Sequence, residues 1–120
     1  MYQRSLDITR AALGEEAFAA SMYVGQTLAD MGVVCSLQGD LHRALEFYER
    51  SLAVKSVASP GSPEVGLSLQ KIAMVYFAQG RLDVAEDTVL EALAIFRAAG
   101  LSDDHESVVA ARLLLSNMYM

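Results

Sequence analysis

At 120 residues, 53% of them apolar, and a net charge of −6, the chain has the length of one domain and too much apolar content to stay disordered. Its acidic balance argues against nucleic acid, a partner whose phosphates are neutralised by Lys and Arg. The single cysteine leaves no internal disulfide and fits a reducing, intracellular and cytoplasmic setting; no apolar run nears the ~20 residues of a membrane span, and the first twelve residues lack a signal-peptide core.

The first predicted element is a helix over residues 2–12. It contains YQRSLDI, Tyr2 to Ile8, and nearly the same seven letters return as YERSLAV, Tyr48 to Val54. Recurrence at a period of roughly 20–50 residues is the mark of stacked repeats. A second helix is predicted over 17–38, with extra lead-in turns from Glu15 to Val24. It places Leu28, Met31, Gly32 and Cys35 at offsets 0, 3, 4 and 7, and Gly39 follows. A third, over 41–56, carries the stripe Leu41, Ala44 or Leu45, Tyr48, Leu52.

The loop Ser56–Ser62 holds Pro60 and Gly61. Ser62 is the expected N-cap and Pro63 the first residue of a helix over 63–79. Leu69, Ile72, Ala73 and Tyr76 repeat the earlier order of large, large, small and bulky residues, and Gly80 closes the segment as Gly39 did. Glycine tolerates the left-handed backbone that ends a helix. The next helix, over 82–99, has the stripe Leu82, Ala85, Val89, Leu93 and Phe96. From about 105 to the end another begins, with Leu115, Ser116 and Tyr119 matching Ile72, Ala73 and Tyr76.

The pattern predicts an all-α protein, an α-solenoid of antiparallel helix pairs. Residues 1–120 form one repeat domain, read as a piece of a longer array. Residues 2–12 are the second helix of a unit, 17–56 and 63–99 are complete units, and 105–120 begins a further one.

Gly32, Gly39, Ala44 and Tyr48, then Ala73, Tyr76, Gly80, Ala85 and Ala92, resemble the tetratricopeptide repeat pattern. Units of 41 to 46 residues, with Ser62-Pro63-Glu64-Val65 as linker, are similar to the long-period repeats of kinesin light chains. Cys35 stands where that pattern has Tyr, and Val89 where it has an aromatic. The resemblance implies a superhelix whose concave side is lined by the first helix of each pair, and a non-catalytic scaffold for protein binding. It also implies the lining set: Gln26, Ala29, Asp30, Val33 and Ser36 in the first unit, and Leu67, Gln70, Lys71, Met74 and Phe77 in the second. The third contributes Leu113 and Asn117. An apolar floor with a few polar heads suits a peptide or helix of a partner protein. A clamp for a C-terminal carboxylate needs several basic residues, and this set offers only Lys71. The alternative is a structural module whose helix faces pack on copies of the same chain, a homo-oligomer.

No constellation points to an enzyme. His42 and His105 lie far apart without ligand-spaced neighbours and read as surface residues. Asp103-Asp104-His105 reads as a helix start, since consecutive residues on a helix cannot converge on one metal ion. Cys35 falls at a packing position with no histidine nearby in sequence, which suits an inert thiol. Ala58-Ser59-Pro60-Gly61-Ser62 lacks the spacing and lysine of a phosphate loop. No cofactor, metal, nucleic acid or membrane is expected.

Overall fold

A computed structural model describes the backbone of residues 2–119 and the side chains of residues 20–119. Among the described residues every regular element is a helix: α1 Tyr2–Leu37, α2 Leu41–Ala58, α3 Pro63–Ala78, α4 Leu82–Ala98 and α5 Glu106–Met118.

The break expected between residues 12 and 17 is absent, because α1 runs unbroken through it. The stretch Ala11-Ala12-Leu13-Gly14-Glu15-Glu16 has no proline. Its one glycine costs about 1 kcal/mol in a helix interior, too little to stop a run of strong helix formers. The reading of residues 2–12 as the second helix of a unit concerns side chains outside the described residues.

The other boundaries follow from local chemistry. Gly39 and Gly80 have φ of 82° and 79°. Gly39 N–H donates to Ser36 O at 3.0 Å and Asp40 N–H to Cys35 O at 2.9 Å; Gly80 and Arg81 repeat this pair onto Phe77 and Tyr76. That left-handed stop satisfies the last carbonyls and turns the chain back. Asp40 Oδ1 caps α2 by accepting from Arg43 N–H at 3.3 Å, and His105 Nδ1 caps α5 by accepting from Ser107 N–H at 3.1 Å. Ser62 holds the N-cap position of α3, with Pro63 next, yet its hydroxyl makes no capping bond. Val65 N–H donates instead to the Ser62 carbonyl, at 3.0 Å.

Each hairpin closes where a small residue admits a large one. A Cβ at Gly32 would lie 2.7 Å from the Tyr48 ring, and one at Gly66 would lie 2.5 Å from the Phe96 ring. Gly25 meets the Lys55 stem, and Ser51 Oγ donates to Gly25 O at 2.7 Å. Shifting Gly25 and Lys55 by 41 residues gives Gly66 and Phe96, so the two hairpins share one docking plan.

The apolar interior is serial. One cluster joins α2 and α3 through Ala44, Tyr48, Ile72 and Val75, with Val33 and Cys35 of α1 packed against it. The other joins α3, α4 and α5 through Leu69, Ala73, Val89, Phe96 and Val108. Leu52 packs against both. Helices touch their neighbours along the chain, and α3 also meets α5. That is a stack of helix pairs, in which each pair buries the face of the next.

Candidate binding groove

Two shallow depressions cross the first helices of the pairs. One, of about 390 Å³, has Val33, Ser36 and Leu37 of α1 on one side and Lys71, Met74 and Ala78 of α3 on the other, with Tyr48 of α2 and Val75 in its floor. The second, of about 360 Å³, lies between Leu67, Gln70, Lys71 and Met74 of α3 and Glu106, Ser107 and Ala110 of α5. Lys71 and Met74 belong to both. Together they make up a channel face across α1, α3 and α5, with the Lys71 and Met74 side chains between its two halves.

Of the expected lining residues, Val33, Gln70, Lys71 and Met74 are brought together here, with Ser36 and Leu67. Met74 is 53% exposed. Ala29 is only 1% exposed; its single methyl does not project past its larger neighbours, so it presents nothing to a ligand. Gln26 and Asp30 are exposed on α1 and bonded to each other, Nε2 to Oδ1 at 2.9 Å. Phe77 is half-buried and Asn117 exposed, and neither lines the channel. Leu113, at 60% exposed, lines a separate depression with Val109 and Arg112.

Leu37, Tyr48, Val75, Ala78 and the α5 residues were not anticipated. Leu37 and Ala78 stand 41 residues apart, and Ala110 stands 43 after Leu67, so the repeat offset was the available signal. Tyr48 carried none: it reaches the floor from a second helix because Gly32 leaves room for its ring.

The channel's electrostatics are sparse. Burial, with a smaller contribution from Cys35, raises the Tyr48 phenol above its ordinary 10.0, so the ring stays neutral at physiological pH. Gln70 Oε1 is buried, and no donor reaches it among the described residues. Beside the channel, Lys55 is 4% exposed and its Nζ donates to Gln26 Oε1 at 3.5 Å. Burial foremost, and then Lys71, lower its pKa from 10.5, while Glu64 and Asp30 act the other way.

Residues 65–107, which hold nearly all of α3, the whole of α4 and the start of α5, match the tetratricopeptide repeat family. Over that segment the chain is similar to a tetratricopeptide repeat. No curated protein matches the chain. A tetratricopeptide repeat is a protein-interaction scaffold, and its helix pairs stack to expose long faces to partners. Among the described residues no His, Cys, Asp and Glu side chains gather to hold a metal. Nor is any described helix long and apolar enough to cross a membrane. His42 is exposed and pairs with Glu46 at 3.4 Å, one helical turn on. Cys35 is half-buried against the α1–α2 cluster.

Proposed function

We propose that the chain is a non-catalytic binding module that holds an apolar segment of a partner protein in the channel across α1, α3 and α5. The observation that carries this reading is the sharing of Lys71 and Met74 by the two depressions, which puts both on one face that an extended peptide or a helix can cross. Leu37 and Met74 are exposed apolar side chains that would grip an anchor residue, and methionine adapts to anchors of different shape. Lys71 and Glu106 put one cation and one anion beside the second depression, so a ligand with an apolar anchor flanked by charges of both signs fits best. Lys71 is the only cation lining either depression, so a bare terminal carboxylate fits poorly.

The test is selection of peptides from a random display library on the whole chain, followed by titration against variants. Met74→Glu is expected to weaken the selected peptides at least tenfold, and Lys71→Glu about threefold to tenfold, with helix content by circular dichroism unchanged. Selected peptides that bind both variants as well as the parent would remove the channel as the site.

A further inference from the structure

The charges around the channel are uneven. Glu106 lines the second depression, and Asp103 and Asp104 lie in the turn just before it. Glu64 stands in the first turn of α3. Consecutive helices of the stack run antiparallel, so α3 and α5 start on the same edge, and these four carboxylates share that rim. Asp30 of α1 and Glu64 are close enough to the Lys55 ammonium to oppose the fall in its pKa, and Lys71 is close enough to add to it. That gathers Asp30 and Glu64 beside Lys71. All five acidic residues are exposed.

Little on the chain neutralises them. Among the described residues the only ion pair joins His42 to Glu46. Asp30 accepts from the Gln26 amide, not from a cation. His105, between Asp104 and Glu106, accepts a hydrogen bond at Nδ1, so its ring is neutral there. Lys71 is the only cation lining either depression, and Lys55 beside it is 4% exposed. The starts of α3 and α5 add about half a positive charge each. Against five carboxylates, two ammonium groups and those helix ends leave the rim negative. The net charge of the whole chain, −6, reinforces the same field.

We infer that the partner segment is net basic: its apolar anchor sits in the first depression, and lysine or arginine side chains follow across Lys71 and Met74 to lie against Glu106 and the rim beyond. The inference rests on the channel reading and sets the chemistry of its ligand. The two depressions differ in the way this needs. The first is apolar around Val33, Leu37, Met74 and Val75, with Lys71 its only charged residue. The second adds Gln70, Ser107 and Glu106. One acidic side chain on the segment matches Lys71, and every remaining charge on the rim matches a cation. Because the rim is solvated, each single contact is weak, and the charges act mainly by speeding encounter and rejecting acidic segments.

The experiment takes the tightest peptide selected on the whole chain from the random library and resynthesises it with every Lys and Arg replaced by Gln. Association and dissociation rates are measured for both peptides against the parent chain, Glu106→Gln, Glu64→Gln and Met74→Gln. The selected peptide is expected to be net positive, and its Gln form to bind about tenfold more weakly. Glu106→Gln is expected to cost about threefold, most of it in the association rate. Raising salt from about 50 mM to about 500 mM is expected to weaken the selected peptide about tenfold and its Gln form hardly at all. Selected peptides that are neutral or acidic overturn the inference. So do basic ones whose affinity ignores salt and the loss of their cations, or that lose affinity in the Gln form yet bind Glu106→Gln and Glu64→Gln as well as the parent. Met74→Gln spoils the anchor without changing charge. Peptides that need Met74 but not their cations keep the channel and sink only the basic flank, whereas peptides indifferent to Met74, or no selectable peptide, remove the channel and this inference with it. Circular dichroism on each variant separates loss of contact from loss of fold.

Discussion

Lys55 occupies the place that Phe96 holds in the following pair, 4% exposed, with one long hydrogen bond to Gln26. Its stem packs over Gly25 as a hydrophobe would, but the ammonium is stripped of water, and burial is the first cause of its lowered pKa. Because the folded pKa lies below the ordinary 10.5, the unfolded chain binds more protons between the two values. Stability therefore rises with pH across that window, and below it the whole cost of burying the charge is present. Tyr48 acts in the opposite sense, but only above its ordinary 10.0, where the folded state keeps a proton that the unfolded state loses. Lys55→Met keeps the stem and deletes the charge. It is expected to stabilise the fold by about 1 kcal/mol at pH 7, a rise in Tm of roughly 4 °C, and to flatten the climb in stability as pH rises toward 10.5. Thermal melts at three pH values check both, and a lower Tm for Lys55→Met would mean that the charge is held by partners stronger than Gln26.

Helix ends are where the sequence spoke most clearly. Gly39 and Gly80 were legible as stops because a left-handed residue is needed there, and both take that conformation. A Cβ at Gly80 meets nothing within 4 Å, so Gly80→Ala tests backbone strain alone. It is expected to cost about 1–2 kcal/mol, read from the midpoint of urea unfolding with the slope unchanged. Where no such residue marks a boundary, pattern misleads: residues 12–17 looked like a junction between units, yet α1 passes through them. The channel was legible to the same degree. Val33 and Met74, one repeat apart on first helices, line it together. Ala29 has the right offset and is buried all the same, since offset fixes direction and side-chain length fixes reach. Tyr48 belongs to a second helix, and only its depth over Gly32 brings it to the floor, a tertiary fact that no period encodes. On α5, Glu106, Ser107 and Ala110 come from the helix's first turns, set by how far α5 slides along α3.

At the scale of the molecule, the interior is two linked clusters and not one nucleus. The first is closed by Ala44, Tyr48, Ile72 and Val75, the second by Val65, Phe96, Val108 and their neighbours, and Leu52 packs against both. In a stack, stability is the sum of unit terms and nearest-neighbour interfaces, so damage spreads only as far as the interface it touches. Truncating a partly buried leucine costs about 2 kcal/mol, the low end for such a change. Leu52→Ala is therefore expected to reduce amide-exchange protection in α2, α3 and α4 together. Val108 is fully buried but lies in the second cluster alone. Val108→Ala is expected to cost about 1 kcal/mol and to lower protection in α4 and α5 while leaving α2 and the paired part of α1 near their parent values. Native-state hydrogen exchange read residue by residue distinguishes these patterns. If Val108→Ala lowered protection equally from α2 to α5, the chain would behave as a single cooperative core, and the channel across α1, α3 and α5 would be a rigid surface instead of one whose ends open independently.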